Sequence, residues 1–284
     1  MLVFFDIPCR YAGRAWSPNT WRVRYSLNYK KIPFRTEWVE FPDIESLCRA
    51  KGVPPSRVTP SGREAYTLPA IYDSSYQMGT GIYVSDSAKI MKYLDWRYPQ
   101  TPKAFPEGTQ ALQAAFLSAF VGRVLSGTPI WEIMVPGVVD MLNSGADGVG
   151  SRGSREFFTE SREKTFGKSV KSMRELYGRG APGREGAWLR VKEGFGSVDR
   201  WLSINDLVGG EGDSWDRPSD GTGHLGTSDS ESPFLMGVKP VFADFVIGGV
   251  LAWIRNVWGE DSEEWHFVAG WHGGRWKRFV GALQ

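Results

Sequence analysis

Leu68-Pro69, Asp86-Ser87 and Ser17-Asn19 are the residues whose types and spacing suit chemistry. Leu68-Pro69 interrupts a β-type run: Tyr66-Thr67-Leu68 stops at the proline and Ala70-Ile71-Tyr72 resumes the strand. A proline there marks an edge, a bulge or a cis bond, because it has no N–H to give a ladder. Such a turn offers its main-chain groups to a peptide, and the position predicts a cis bond between Leu68 and Pro69. Asp86-Ser87 follows about seventeen residues later at a helix start. Free N–H groups there can hold a carboxylate, although Asp and Ser are also common helix starters. Ser17 stands between the first strand and the first helix. From spacing alone it reads as an N-cap, with Pro18 at the first helical position.

These residues need a scaffold, and the surrounding pattern supplies one. Leu2 to Ile7 reads as a buried strand, and Pro18–Lys30 as a helix with Arg22, Arg24, Lys30 and Lys31 on its more exposed sides. Pro33 ends that helix, and Phe34 to Glu40 alternates as a second strand. A helical segment follows near Ile44–Lys51, then a stiff proline-rich connector, the Leu-Pro device, a turn-rich patch from Asp73 to Gly81, the strand Ile82-Tyr83-Val84 and a helix from Ala88 to Tyr98. The order β-α-β, then β-β-α, is thioredoxin-like, with a parallel pair and a right-handed crossover.

Pro99 to Gly108 reads as a linker, giving domains 1–98 and 109–284 with 99–108 between them. The second domain reads as all-α, so the fold class is an α+β thioredoxin-like domain followed by a helical one. Ala111 to Leu125 is apolar on more than one face and is expected to be central. Ile130 to Leu142 continues the pattern. Ser154 is expected to cap one helix reaching about Tyr177, with Phe157, Phe158, Phe166, Met173 and Leu176 inward. Glu185 to Leu202 and the strongly apolar Phe242 to Val257 are further helices, and a Trp-rich tail closes the chain. The stretch 205–233, with Trp215 and His224, is rich in Gly, Ser and Asp and reads as a mobile insertion, either a tolerated surface loop or a substrate lid.

The order "Leu-Pro, strand, turn, strand, acidic-Ser, helix" resembles the glutathione site of soluble glutathione transferases. Ser17-Pro18-Asn19-Thr20-Trp21-Arg22-Val23-Arg24-Tyr25, Glu37-Trp38-Val39-Glu40 and Pro42-Asp43-Ile44-Glu45 resemble the fungal etherase-related class, also called FuA and akin to bacterial lignin β-etherases. The resemblance runs over most of 1–204 and 232–284. It implies that Leu68 and Pro69 bind glutathione, the backbone of Leu68 before the cis-proline Pro69 pairing with its cysteinyl part, and that Asp86 and Ser87 hold its γ-glutamyl end. It implies a catalytic Ser17, whose hydroxyl donates to the glutathione sulfur, with Asn19 giving a second bond or fixing Ser17. A hydroxyl cannot cap a helix and stabilise a thiolate at full strength, so the two roles compete. Ala243-Asp244 is similar to the family's folding motif, but Val241 stands where a Ser or Thr is usual, leaving half a capping box.

The implied activity is glutathione-dependent chemistry on apolar aromatic compounds: conjugation, ether cleavage or peroxide reduction. Glutathione is the co-substrate and no metal is implied. The acceptor site is expected against the helical domain at Trp131, Met134, Val135 and Trp253, with Met141 and Trp258 near them. Two other readings stand beside this one: a ligandin that binds aromatic molecules with little turnover, and a transferase-like module for protein association. A homodimer is compatible with all three.

Composition narrows the field. At 284 residues the chain can bury a sizeable core. Its net charge of +2, from 34 basic and 32 acidic residues, gives no footprint for a nucleic acid. Cys9 and Cys48 form no disulfide framework and suit a reducing, cytoplasmic compartment. Cys9 precedes the first helix rather than starting it, so it reads as an ordinary thiol, and Cys48 as structural. No apolar run is long enough for a membrane span, and the three His have no metal-ligand spacing.

Overall fold

Leu2–Asp6 forms β1, buried along its whole length, and the N-terminal sheet is laid down around it. In this computed structural model residues 1–11, 14–145, 153–206 and 232–284 are described. The insertion expected at 205–233, with Trp215 and His224, lies outside them apart from its ends. Helix α1 (Pro18–Tyr29) leads from β1 to β2 (Phe34–Trp38), which pairs with β1 in parallel from Leu2–Phe34 to Asp6–Trp38. Helix α2 (Ile44–Lys51) follows and ends at Gly52 with φ 70°. Strands β3 (Arg57–Val58) and β4 (Glu64–Ala65) make a separate small hairpin. Strands β5 (Ala70–Asp73) and β6 (Ile82–Ser85) complete the main sheet in the order β2-β1-β5-β6, and α3 (Ser87–Arg97) closes the domain. β1 is covered on both faces, which is why it reads as an unbroken apolar run rather than an alternating one.

Tyr66-Thr67-Leu68 is not a strand. The pairing falls on Glu64 and Ala65, and Tyr66 to Pro69 carries the chain from the small hairpin to the main sheet. The basic residues of α1 also differ from expectation. Arg24 reaches the buried Asp6 carboxylate at 2.6 Å, and Lys30, itself buried, reaches Asp95 at 2.6 Å. Asp95 also accepts from the N–H groups of Ala104 and Phe105, at 3.0 and 2.8 Å, and so anchors the segment between the domains.

The C-terminal domain is helical: α4 (Gln110–Phe120) running into a π-helical turn (Val121–Ser126), α5 (Ile130–Met141), α6 (Ser154–Phe166), α7 (Val170–Tyr177), α8 (Arg184–Asp206), α9 (Phe242–Trp258) and α10 (Glu263–Ala282), the last broken at Trp271–Gly274. The centre belongs to α9, buried without interruption from Phe242 to Ile254, and not to α4. Only Gln113 and Phe120 are buried on α4, and Leu112 is 55 % exposed. Much of the apolar character of α4 is alanine, whose burial contributes little area, whereas α9 carries Phe, Val, Ile and Leu all round. The expected helix from Ser154 to Tyr177 is two helices. Gly167, with φ 64°, ends the first and the Ser169 hydroxyl caps the second. Ser154 is no cap; Gly153 holds that place, and the Ser154 hydroxyl is bonded to Glu40. Phe158 and Met173 point inward, while Phe157 and Leu176 are 37 % and 40 % exposed. Among the described residues no helix is long and apolar enough to cross a membrane.

The start of α9 is tied down by Asp244. Its two carboxylate oxygens accept from the N–H groups of Leu235 and Val241, each at 2.9 Å, so half of a capping box is formed. Complete burial, opposed by these two hydrogen bonds, pushes Asp244 up to about 7. An unfolded Asp titrates near 4, so the native state binds the extra proton across this interval. Stability from this group is full below about pH 4 and is lost as pH rises through about 7. Comparing thermal midpoints of the parent and Asp244→Asn from pH 4 to 8 checks this. The parent should lose stability relative to the variant as pH rises, and parallel curves would contradict it.

Candidate functional site

The site gathers where the first turn of α1 meets α9 and the Leu68-Pro69 turn. The segment leading into α1 is held from three sides. Trp16 Nε1 donates to the Pro8 carbonyl at 3.3 Å, Trp21 Nε1 to the Ala15 carbonyl at 3.1 Å, and Asn256 Nδ2 on α9 to the same Ala15 carbonyl at 3.0 Å. Ser17 follows, 4 % exposed. It occupies the N-cap position, yet its side chain makes no capping hydrogen bond. Only its carbonyl serves the helix, accepting from the Trp21 N–H at 3.0 Å and from Thr20 Oγ1 at 3.2 Å. The competition between cap and donor is therefore absent: the hydroxyl is not engaged by the helix.

Across from it, the Leu68–Pro69 peptide is cis, as the position in the sequence predicts. Asp86 takes φ 75°, a region L-residues rarely adopt and which clusters at functional sites. One carboxylate oxygen, Oδ1, accepts from the N–H groups of Ala88 and Lys89 at 3.0 and 3.1 Å. Asp86 is thus the cap of α3 and an acid at the edge of a cavity together.

Two adjoining cavities share Asn19, Arg57, Thr67 and Leu68. The smaller, about 250 Å³, adds Arg22, Ser56, Pro69, Asp86 and Ser87, and is polar. The larger, about 400 Å³, adds Ser17, Trp16, Phe41, Tyr66, Phe157 and Phe158 with Trp131 and Trp253 from the helical domain. The rings of Trp131 and Trp253 lie 4.6 Å apart, and the Trp253 Nε1 is buried without a hydrogen-bond partner. Eight of the residues expected from sequence thus come together: Ser17, Asn19, Leu68, Pro69, Asp86 and Ser87, with Trp131 and Trp253 as one wall. Met134 and Val135 do not join them; both are fully buried and line neither cavity. They sit one turn, about 4.5–6 Å, further along α5 than Trp131, and the Met134 sulfur is covered by Trp258, whose Nε1 donates to it at 3.2 Å. Met141 is likewise core.

Arg22 is the main residue that sequence reasoning passes over. It lies three positions after Asn19, the spacing that puts two side chains on one helix face, so the signal is present once Asn19 is placed. Its Nε is buried with no hydrogen-bond partner. Burial, opposed by the Asp86 carboxylate, pushes it down to about 10, so it remains a cation at neutral pH. Phe41 is also part of the wall, and its position is set from the other domain. The Ser154 hydroxyl accepts from the Phe41 N–H at 2.8 Å and donates to Glu40, while Asn143 Nδ2 donates to Glu40 at 2.6 Å. No local pattern shows a contact across more than a hundred residues. Cys9 lines neither cavity, and burial raises its thiol pKa, which suits an inert thiol. Among the described residues no cluster of His, Cys, Asp or Glu is placed to hold a metal ion.

The arrangement offers a polar pocket with an acid, a cation and peptide-pairing backbone, joined to an aromatic chamber, with an uncommitted hydroxyl at the junction. The chain as a whole is similar to known proteins. A family model described as the glutathione S-transferase N-terminal domain matches residues 16–97, and one described as the C-terminal domain matches residues 111–284. The glutathione S-transferase-like protein ustS of Aspergillus flavus is 31% identical over 283 residues, 95% of this chain and 88% of that protein. The crystal structure of the Ceriporiopsis subvermispora glutathione S-transferase CsGST63524 in complex with glutathione is 35% identical, covers 99% of this chain and 96% of its own, and superposes with a TM-score of 0.79. Glutathione transferase GSTFuA3 of Phanerochaete chrysosporium is 34% identical, covers 100% and 97%, and gives 0.78.

Proposed function

The chain belongs to the glutathione S-transferase family, among its fungal FuA members, and from that premise we propose that Ser17 holds the glutathione thiolate for attack on apolar aromatic compounds. A free thiol titrates near 8.5, and a hydrogen bond or a helix N-terminus favours its anion. Ser17 offers both, at the first turn of α1. The smaller cavity takes the tripeptide: Asp86 faces the γ-glutamyl ammonium, Arg22 and the start of α3 its carboxylate, Leu68 the cysteinyl backbone, and Arg57 the glycine carboxylate. The larger cavity takes the acceptor between Trp131, Trp253, Phe41 and Phe158. The sulfur then attacks the acceptor's electrophilic carbon and the leaving group departs with the bonding pair, giving conjugation or ether cleavage. The free thiols of Cys9 and Cys48 favour a reducing, cytoplasmic setting.

The observation that carries this reading is the Ser17 hydroxyl, unused by the helix it starts. Retention of the protein on immobilised glutathione, with elution by free glutathione, tests the binding half. Passage through the resin without retention would contradict it. Asp86→Asn keeps the side chain's size and its acceptor for the cap while removing the charge. It is expected to weaken glutathione about tenfold, the scale of one charge-assisted hydrogen bond. Calorimetry giving parental affinity would take Asp86 out of the site.

A further inference from the structure

The larger cavity is apolar on most sides, yet Arg162 of α6 stands in its wall. Its guanidinium carbon lies 4.8 Å from the centre of the Phe158 ring, and Phe158 packs on Phe41 at 5.4 Å and edge-on to Trp16 at 6.2 Å. Arg162 Nε is buried and has no hydrogen-bond partner, and among the described residues no carboxylate pairs with this side chain. Burial alone lowers its affinity for a proton. The other charges on the cavity do not answer it. Glu45 is exposed and bonded to Arg49 at 3.1 Å, and Arg57 is a second cation, on the border with the smaller cavity. A half-buried guanidinium without an anion is costly, and buried polar groups in native proteins have partners. The tripeptide does not supply one. In the arrangement proposed above its two carboxylates go to Arg22 and Arg57, which line the smaller cavity, whereas Arg162 lines only the larger one.

We infer that the acceptor is an aromatic anion: its ring lies in the aromatic chamber and its carboxylate or sulfonate is taken by Arg162. Ser161, next in the wall, supplies a hydroxyl beside it. The inference rests on reading the larger cavity as the acceptor site and narrows the acceptor to one whose apolar aromatic ring carries an anionic group. A planar guanidinium stacked on a ring presents its N–H fork edge-on, the geometry that suits a flat carboxylate.

Two probes that differ by one anionic group test it: 8-anilinonaphthalene-1-sulfonate and N-phenyl-1-naphthylamine, titrated by fluorescence against the glutathione-saturated protein. The parent is expected to bind the sulfonate more tightly than the neutral amine. Arg162→Met keeps the bulk of the side chain and removes the charge. It should weaken the sulfonate about tenfold or more and leave the amine within about twofold, with Arg162→Lys between. Equal affinity of the parent for both probes overturns the inference without any variant. So does an Arg162→Met that loses both probes alike, or one whose affinity for glutathione falls, which would assign Arg162 to the tripeptide. A parent that shows the sulfonate preference but no turnover of any electrophile with glutathione would sink the catalytic reading and leave this one standing.

Discussion

Ser17→Ala is expected to lower turnover about ten- to hundredfold while leaving thermal stability unchanged. The factor follows from one charge-assisted hydrogen bond to a thiolate, about 1.5–3 kcal/mol, at 1.4 kcal/mol per factor of ten. The absence of a stability effect follows from the local geometry. Replacing an N-cap serine ordinarily costs about 1 kcal/mol, but the Ser17 side chain makes no capping bond, and the first turn of α1 rests on the Ser17 carbonyl instead. Steady-state rates with an aryl or benzyl halide, beside a melting curve, separate the two effects. A variant that melts early and turns over normally would make Ser17 a structural residue. Asn19 or the main-chain N–H groups of α1 would then be the donors to the sulfur.

Gly249→Ala is expected to damage both stability and rate, although residue 249 lines neither cavity. A Cβ there would stand 2.5 Å from the Pro18 carbonyl oxygen and 3.2 Å from Arg22 Cγ. The obstacle is backbone, so it cannot rotate away. Nor can α9 retreat freely, because the neighbouring Gly248 is itself closed in, its Cβ position lying 2.3 Å from Leu283 and 3.3 Å from Tyr25. Overpacking of this kind costs about 1–3 kcal/mol. The displaced atom adjoins Ser17 and the helix turn that carries Asn19 and Arg22. A misplacement on the order of 1 Å can cost about a hundredfold in rate. Gly270→Ala is the control, since nothing lies within 4 Å of a Cβ there, and it should be neutral or stabilising by about 0.5–1 kcal/mol. A Gly249→Ala protein with parental melting and parental kcat would show that α9 does not position the start of α1.

Local chemistry made much of this site legible in the chain. Pro18, Pro33 and Pro69 punctuate the elements, and Asp86-Ser87 marks the start of α3, because proline geometry and capping depend on a few neighbouring residues. What failed to show depends on distance. Ala111 to Leu125 and Phe242 to Val257 are both apolar, and periodicity alone does not say which takes the centre; bulk does, in favour of α9. Met134 and Val135 follow Trp131 by one turn of α5 and are fully buried, and Trp258 covers the Met134 sulfur. Lys30 and Arg24 look like solvent-facing cations until Asp95 and Asp6 are brought beside them by the fold. Arg162 reads as one charge among many on α6, and only the apolar company it keeps in the folded protein sets it apart.

The titration of glutathione's thiol in the binary complex, followed by thiolate absorbance in the ultraviolet, bears most directly on the role of Ser17. In the parent the bound thiol is expected to titrate clearly below the value of about 8.5 for a free cysteine, and in Ser17→Ala to move back toward it. A parent complex that binds glutathione and aromatic ligands yet titrates at the free value would contradict a Ser17-held thiolate, and would leave the protein a binder of aromatic molecules rather than a catalyst.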